Sequence, residues 1–383
     1  MPLFLWSSLP GPVQGTSLFV LRCTVGLFLL WSGSVQAAVQ MRVAIAAGQA
    51  QVSLGSSTAA VVKNFQGQSL GQIPQGQSLT VTSDHDQLHL GAFQGQALWV
   101  EPSGNGQIFI NNAGYRGRVL VVPRENRVTA INWVDLEAYL YSVLGGEMPT
   151  SWPQEALKAQ AVAARSYALY QREQNRANLY DVDSDTASQV YRGLAAEAAP
   201  TIAAVNATRG QVLTYRGRVI EAVFHASSGG MTENVEDIWQ QSLPYLRSVP
   251  DFDQNSPVFR WSQTFSMGEF QQRVPGLGRL VGVLNPRTTP QGRVLSVELQ
   301  GAEGERRFSG AELRQALGLK SNLFTITTVG DTVRVEGRGY GHGLGLSQWG
   351  ARSLALGGYR YFQILAHYYQ GTVLSYIQIA RRP

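Results

Sequence analysis

Between residues 40 and 130, apolar side chains recur at every second position in short runs. These are MRVAIAAG, AQVSLGS, QSLTVTS, QLHLGAF, QIFINNAG, GRVLVVP and RVTAINW, separated by Gly, Asn and Ser turns. A two-residue period puts alternate side chains on opposite faces of a strand, so this stretch predicts a strand-rich, hairpin-connected part. Gln-Gly pairs recur through QGQSLGQIPQGQSL but fit no solenoid period.

The period changes at WVDLEAYLYSVLGG. Leu136, Leu140, Val143 and Leu144 lie at helical spacing, with Gly145 as the expected stop. Ser151 and Gln154 have capping-box spacing and Pro153 is tolerated in a first turn, so a second helix is predicted to about Gln174. Six alanines between 156 and 168 keep it slim on nearly every face, as suits a central helix against which others pack closely. After the loop NLYDVDSDTASQVYRG come an alanine-rich helix over 194–207 and the strands QVLTYRG and RVIEAVFHAS. Residues 258–336 hold the strand-like runs RWSQTFS, RVLSVELQG and TVRVEGRG and short helices over 266–274 and 309–317. GYRYFQILAHYYQGTVL closes with an amphipathic helix and a strand. Without strict strand–helix–strand alternation, the fold class is α+β around the alanine-rich helix. The expected division is 1–37 signal peptide, 38–130 strand-rich part, 131–257 central part, 258–336 elaboration or inserted subdomain, and 337–383 glycine-rich motif with closing helix.

Composition narrows the class. The chain has 383 residues, 44% of them hydrophobic and 15% charged, which suits a packed, turn-rich globular protein and gives no sign of disorder. A net charge of +5 without a Lys/Arg run or a basic patch interleaved with aromatics argues against nucleic acid. Arg22 precedes the apolar CTVGLFLLW, small residues follow, and Val35-Gln36-Ala37 fits the small-x-small cleavage rule, so a mature start near Ala38 or Val39 is expected. The apolar core is shorter than the ~20 residues of a comfortable membrane span, although an uncleaved anchor is the alternative. Residues 1–17 read as an overlong start. Cys23, the single cysteine, lies in that core, and Arg22 before it spoils a lipoprotein signal. The expectation is an exported protein, periplasmic or in the cell wall, with neither disulfides nor thiolate metal sites.

Four stretches carry candidate chemistry: GGEMPTSWPQEALKAQAVAARSYA, DVDSDTASQVYRG, FHASSGGMTENVEDIW and GRGYGHGLGLSQWGA. In this order they resemble the stage II sporulation protein D and amidase-enhancer family of bacterial cell-wall proteins, over residues 42 to about 375. The resemblance implies a lytic transglycosylase that cleaves peptidoglycan glycan strands, preferring strands denuded of stem peptides, with Glu147 as the catalytic acid. The second reading it carries is a non-catalytic glycan-binding module that stimulates a partner cell-wall amidase.

The residues can be weighed directly. A Glu near a helix terminus is most often only a helix-associated acid. Here Gly146, Met148, Pro149 and Trp152 should desolvate Glu147, and burial keeps a carboxyl protonated and able to donate. One carboxyl is enough if the sugar's own 6-hydroxyl replaces water as nucleophile. Lys158, Arg165 and Arg172, seven apart, share one side of the helix. Arg165, amid alanines, is expected to be buried and to need an acid: Asp183 or Asp185 in preference to Glu147, whose pKa it would lower. It is also a candidate substrate-binding residue.

Asp181, Asp183 and Asp185 mimic a calcium loop, but Thr186 and Arg192 stand where Gly and Glu are required. Family members that hold zinc here use Cys and His; this chain has Ala187 and Ser188, so no metal and no cofactor is expected. Gln189 and Tyr191 are expected to face a glycan groove. His225, Ser227 and Ser228 lack a nucleophile elbow and, with Thr232, read as a loop that hydrogen-bonds sugar. GRGYGHGLGLSQWGA has neither GK[ST] nor H-E-x-x-H; its five glycines between 337 and 345 allow close backbone approach. His342 orients substrate or Glu147, or is a structural hydrogen-bonded histidine; Gln348 is a further binding candidate, and His367 is expected in the core. Of Trp152, Trp239, Tyr191, Tyr340 and Trp349, about two are expected to stack on sugar rings.

Overall fold

The computed structural model describes residues 39–377 apart from 186, 187 and 240. The expected leader over 1–37 and its cleavage site lie outside the described residues, as do Thr186 and Ala187 of the aspartate loop. The alternating runs form two sheets. One has seven strands in the order Val182–Asp183, Gln40–Gln49, Arg127–Asp135, Arg118–Arg124, Leu98–Pro102, Ala60–Asn64 and Ser69–Ile73. The other has six: Ala113–Tyr115, Ile108–Ile110, Gln51–Ser56, Ser78–Asp84, Gln87–Leu90 and Phe93–Gly95. Val43, Val52, Leu54, Val81, Val100 and Val121 are fully buried and belong to one core, which also takes in the helices. The strands at 60–64, 69–73 and 98–102 were not singled out by the alternation.

Helices α1 (Leu136–Glu147) and α2 (Gln154–Gln174) follow. Asp135 caps α1 by accepting the N–H groups of Glu137 and Ala138. Gly145 does not stop it: the helix continues two residues further, to Glu147. A Cβ at Gly145 would lie 1.9 Å from the Ala196 carbonyl oxygen, and one at Gly146 2.7 Å from that of Val190. These glycines let chain 190–196 lie against the helix end. The capping box expected for α2 does not form. Pro153 is its N-cap without a side-chain bond, and the Gln154 amide donates to the Pro200 carbonyl instead. Ala156, Ala159, Ala161, Ala163, Ala164 and Ala168 are fully buried, and their small side chains let α1 and three later helices pack against α2.

The helix expected over 194–207 is divided into a 3₁₀ turn, Gly193–Ala196, and α3 (Ala199–Ala207), with Pro200 in the first turn of α3. RVIEAVFHAS forms only two short strand pieces, Arg218–Val219 and Phe224–His225, followed further on by α4 (Val235–Trp239). Residues 261–335 pack a second hydrophobic cluster around Phe270, Leu299, Leu313 and Val335. It is built from two three-stranded sheets with α5 (Met267–Arg273) and α6 (Gly310–Leu317), both started by a Ser–Glu capping box. Arg293 ties this cluster to the rest by donating to the Ser228 and Gly341 carbonyls at 2.8 and 3.2 Å. The chain closes with α7 (Gln348–Leu356), α8 (Tyr361–Tyr368) and strand Val373–Tyr376, which pairs with Gln211–Tyr215. The fold is α+β. Among the described residues no helix is long and apolar enough to cross a membrane.

Candidate active site

Glu147 is the last residue of α1, half-buried at the edge of a cleft of about 250 Å³. Tyr167 of α2, Ser188, Glu221, Phe224, Trp239 and His342 also line this cleft. One carboxylate oxygen accepts the Val190 N–H at 2.9 Å, and the other faces the Gln348 amide nitrogen at a long 3.4 Å. Burial raises the pKa of Glu147, and the Val190 and Gln348 contacts and the charge of exposed Arg192 only partly oppose it. The partial negative charge of a helix C-terminus acts in the same direction as burial. No cation forms an ion pair with Glu147 among the described residues.

The third and fourth motifs lie side by side. Phe224 and His225 pair in parallel with Leu346 and Ser347, and Ser227 bridges Tyr340. Gly345, at φ +65°, has the Val223 carbonyl oxygen 2.2 Å from where a Cβ would be, so the pairing requires glycine there. It also holds Gln348, at the start of α7, against Glu147. His342 is a structural histidine and a cleft wall at once. Its Nε2–H donates to the Phe224 carbonyl at 2.9 Å, while Nδ1 accepts the Leu344 N–H at 3.0 Å. Burial holds it neutral, with a pKa well below the usual range. With both nitrogens engaged it offers the cleft a ring face. Trp239, 39% exposed, lies 5.6 Å from it, centroid to centroid. His225 is buried behind them, its Nδ1–H on the Leu344 carbonyl and its pKa lowered to about 3, chiefly by burial.

Several expected site residues serve the interior instead. Arg165 is fully buried as expected, but its partner is Glu137 of α1 and not Asp183, Asp185 or Glu147. Nε and Nη2 reach the two carboxylate oxygens at 3.0 and 2.7 Å. Adjacent helices bring together residues that lie 28 positions apart in the chain. Gln189 is buried between the Tyr139 hydroxyl and the Ala164 carbonyl, and Tyr191 donates to Asn132, so neither side chain faces the cleft. Ser227 and Ser228 donate to Asp253 and Asp251, and Thr232 bonds the Arg247 and Val249 carbonyls. These hydroxyls brace a loop and are not turned toward a sugar.

Lys158 pairs with Glu155, and Arg172 donates to the Gln40 carbonyl. His367 is not core: it is half-buried and bonds the Pro250 carbonyl. Trp152 and Trp349 pack edge to face with Arg352 over both. Tyr340, 46% exposed, carries the Lys320 ammonium over its ring and does not line the Glu147 cleft. Asp181 is held by Arg42, and Asp183 sits in a strand beside Ala44. Among the described residues no group of three His, Cys, Asp or Glu could hold a metal ion.

Among the cleft residues that the sequence reading did not assign to the site are Tyr167 and Glu221. Glu221 is a second half-buried carboxyl, its pKa raised by burial, with one long contact to the Gln171 amide at 3.5 Å. A lone acid within the apolar run RVIEAVF was the available signal.

Comparison with known proteins places the chain in a family. The profile described as Stage II sporulation protein (SpoIID) matches residues 124–215, which contain α1, Glu147 and α2. A second, Domain of unknown function (DUF8618), matches 237–345, covering the second hydrophobic cluster and reaching into the glycine-rich motif. Stage II sporulation protein D of Bacillus subtilis (strain 168) is 35% identical over 265 residues, 63% of this chain and 75% of that protein. Its counterpart in Bacillus amyloliquefaciens is 36% identical over 261 residues, 63% of this chain and 74% of that protein. The chain belongs to the stage II sporulation protein D family. It is also 32% identical to the amidase enhancer of Bacillus subtilis (strain 168) over 291 residues, 62% of this chain and 40% of that protein.

Proposed function

We propose that this protein is exported and cleaves the glycan strands of peptidoglycan as a lytic transglycosylase during cell-wall remodelling. The observation that carries this reading is Glu147: a desolvated carboxyl that forms no ion pair among the described residues, on the wall of a cleft beside an exposed indole. In the protonated form it donates to the glycosidic oxygen as the bond to C1 breaks. The resulting carboxylate then accepts the proton of the sugar's 6-hydroxyl as that oxygen bonds to C1, closing a 1,6-anhydro ring. Proton and charge balance on one residue, and water is not consumed. Trp239 supplies a stacking face, and the neutral ring of His342 adds no competing charge.

Digestion of purified denuded glycan followed by product mass analysis tests the proposal. Muramic ends one water lighter than hydrolysis products are expected. Reducing ends would indicate a hydrolase, with Glu221 as the second carboxyl in place of Asp183 or Asp185, which do not line the cleft. The similarity to an amidase enhancer favours a second reading, in which the cleft binds glycan and stimulates a cell-wall amidase. Stimulation that survives Glu147→Gln, with no cleavage by the wild type, would select it.

A further inference from the structure

A larger cavity, about 610 Å³, adjoins the Glu147 cleft, and Trp239 and His342 line both. Its far wall comes from the second hydrophobic cluster, through the strand at Val294 and α6. A linear polymer laid across Trp239 at Glu147 therefore continues into it. The cavity is lined by two arginines and no carboxylate. Arg293 is spoken for: it faces the buried Glu233 at 3.3 Å and donates to two backbone carbonyls. Arg314 is not. Its one hydrogen bond among the described residues runs from Nε to the Leu319 carbonyl at a long 3.4 Å, and it makes no ion pair. Both terminal nitrogens of the half-buried Arg314 guanidinium are thus left, among the described residues, without a protein acceptor on the cavity wall. That planar fork matches a carboxylate with two parallel bonds. Asn322, on the same cavity, has a buried side-chain oxygen with no donor, which a sugar hydroxyl or N-acetyl N–H would supply. Exposed Leu295 adds an apolar patch for a ring face.

We propose that this cavity is a subsite for a carboxylate-bearing sugar of the strand, with Arg314 taking the carboxylate in its fork. The inference rests on the glycan reading above and assigns a task to the segment that matches a Domain of unknown function. The carboxylate has two sources in peptidoglycan: the lactyl group of a bare muramic residue, or a stem peptide.

Binding is measured by calorimetry on the full chain carrying Glu147→Gln, with and without Arg314→Gln or Arg314→Lys. Three probes are used: peptide-free strands, peptide-bearing strands and uncharged N-acetylglucosamine oligomers. Arg314→Gln should weaken a carboxylate-bearing probe at least about tenfold and leave the uncharged oligomers unchanged, which also shows that the variant is folded. Arg314→Lys should recover only part of the loss. Loss on peptide-free strands identifies the lactyl carboxylate, and loss on peptide-bearing strands alone identifies the stem. Equal affinity of the two forms for both polymers overturns the subsite while leaving the glycan cleft intact. Failure of all three probes to bind before Arg314 is changed overturns the cleft and the subsite together.

Discussion

The two ends of α1 each carry a glutamate, and their treatment is opposite. Glu137, in the first turn, is saturated: Arg165 binds it with two hydrogen bonds, and the Gly210 N–H adds a third at 3.1 Å. The positive end of the helix favours its charge. Glu147, at the last turn, has one good backbone donor, one long amide contact and the negative end of the same helix. Both are removed from bulk water, so burial alone does not separate a structural acid from a reactive one. The number and charge of the donors does.

Four substitutions test that contrast. Arg165→Met should be the most damaging, because it strands the Glu137 charge in the interior. Removing one member of a buried pair costs about 3–5 kcal/mol, to be read from chemical denaturation. A loss within measurement error would mean that the pair is not what holds α1 to α2.

Glu147→Gln should do the reverse. Turnover on denuded glycan should fall at least ~10²-fold because Gln cannot protonate a leaving oxygen. The denaturation midpoint should hardly move, since the substitution keeps the shape and removes a desolvated acid. Full activity in this variant would return Glu147 to the structural class of Glu137.

Gly145→Ala separates a helix stop from a packing contact. As a mid-helix substitution free of contacts it would gain ~1 kcal/mol of helix propensity. Against the Ala196 carbonyl it should instead destabilise by roughly 1–3 kcal/mol, and a stabilised variant would show that chain 190–196 yields easily.

The smallest effect concerns pH. The raised pKa of Glu147 means that the protonated, donating form persists above the usual carboxylate range, and kcat/KM should fall as pH rises through the folded-state value. Arg192 favours the charged form, so Arg192→Ala should move that alkaline limb slightly upward, less so at high salt. A downward shift would contradict the assignment of the limb to Glu147.

The local periods along the chain were legible. Two-residue alternation located most strands between Gln40 and Asp135, though not those at 60–64, 69–73 and 98–102, and the 3.6-residue pattern located α1 and α2, with α2 ending at Gln174. Glycine was legible as a requirement for close backbone approach at 337–345 but misleading at Gly145, where the same property brings another segment onto the helix and does not end it. Serines 227 and 228 looked like sugar ligands because a hydroxyl's chemistry is the same wherever it points. Asp251 and Asp253, more than twenty residues on, decide where these two point.

The sequence by itself determined most of the strands and the positions of α1 and α2, that α2 is slim enough to be central, and that Glu147 lies near a helix end among apolar neighbours. Those properties follow from side-chain volume, spacing and backbone preference within a few residues. Only the tertiary structure decided that Arg165 belongs to Glu137, that Glu221 and Tyr167 share the cleft with Glu147, and that Arg314 makes no ion pair among the described residues on the adjoining cavity. Such pairings depend on distances between elements far apart in the chain, and electrostatics in a low-dielectric interior turns on those distances and on how many donors are already spent.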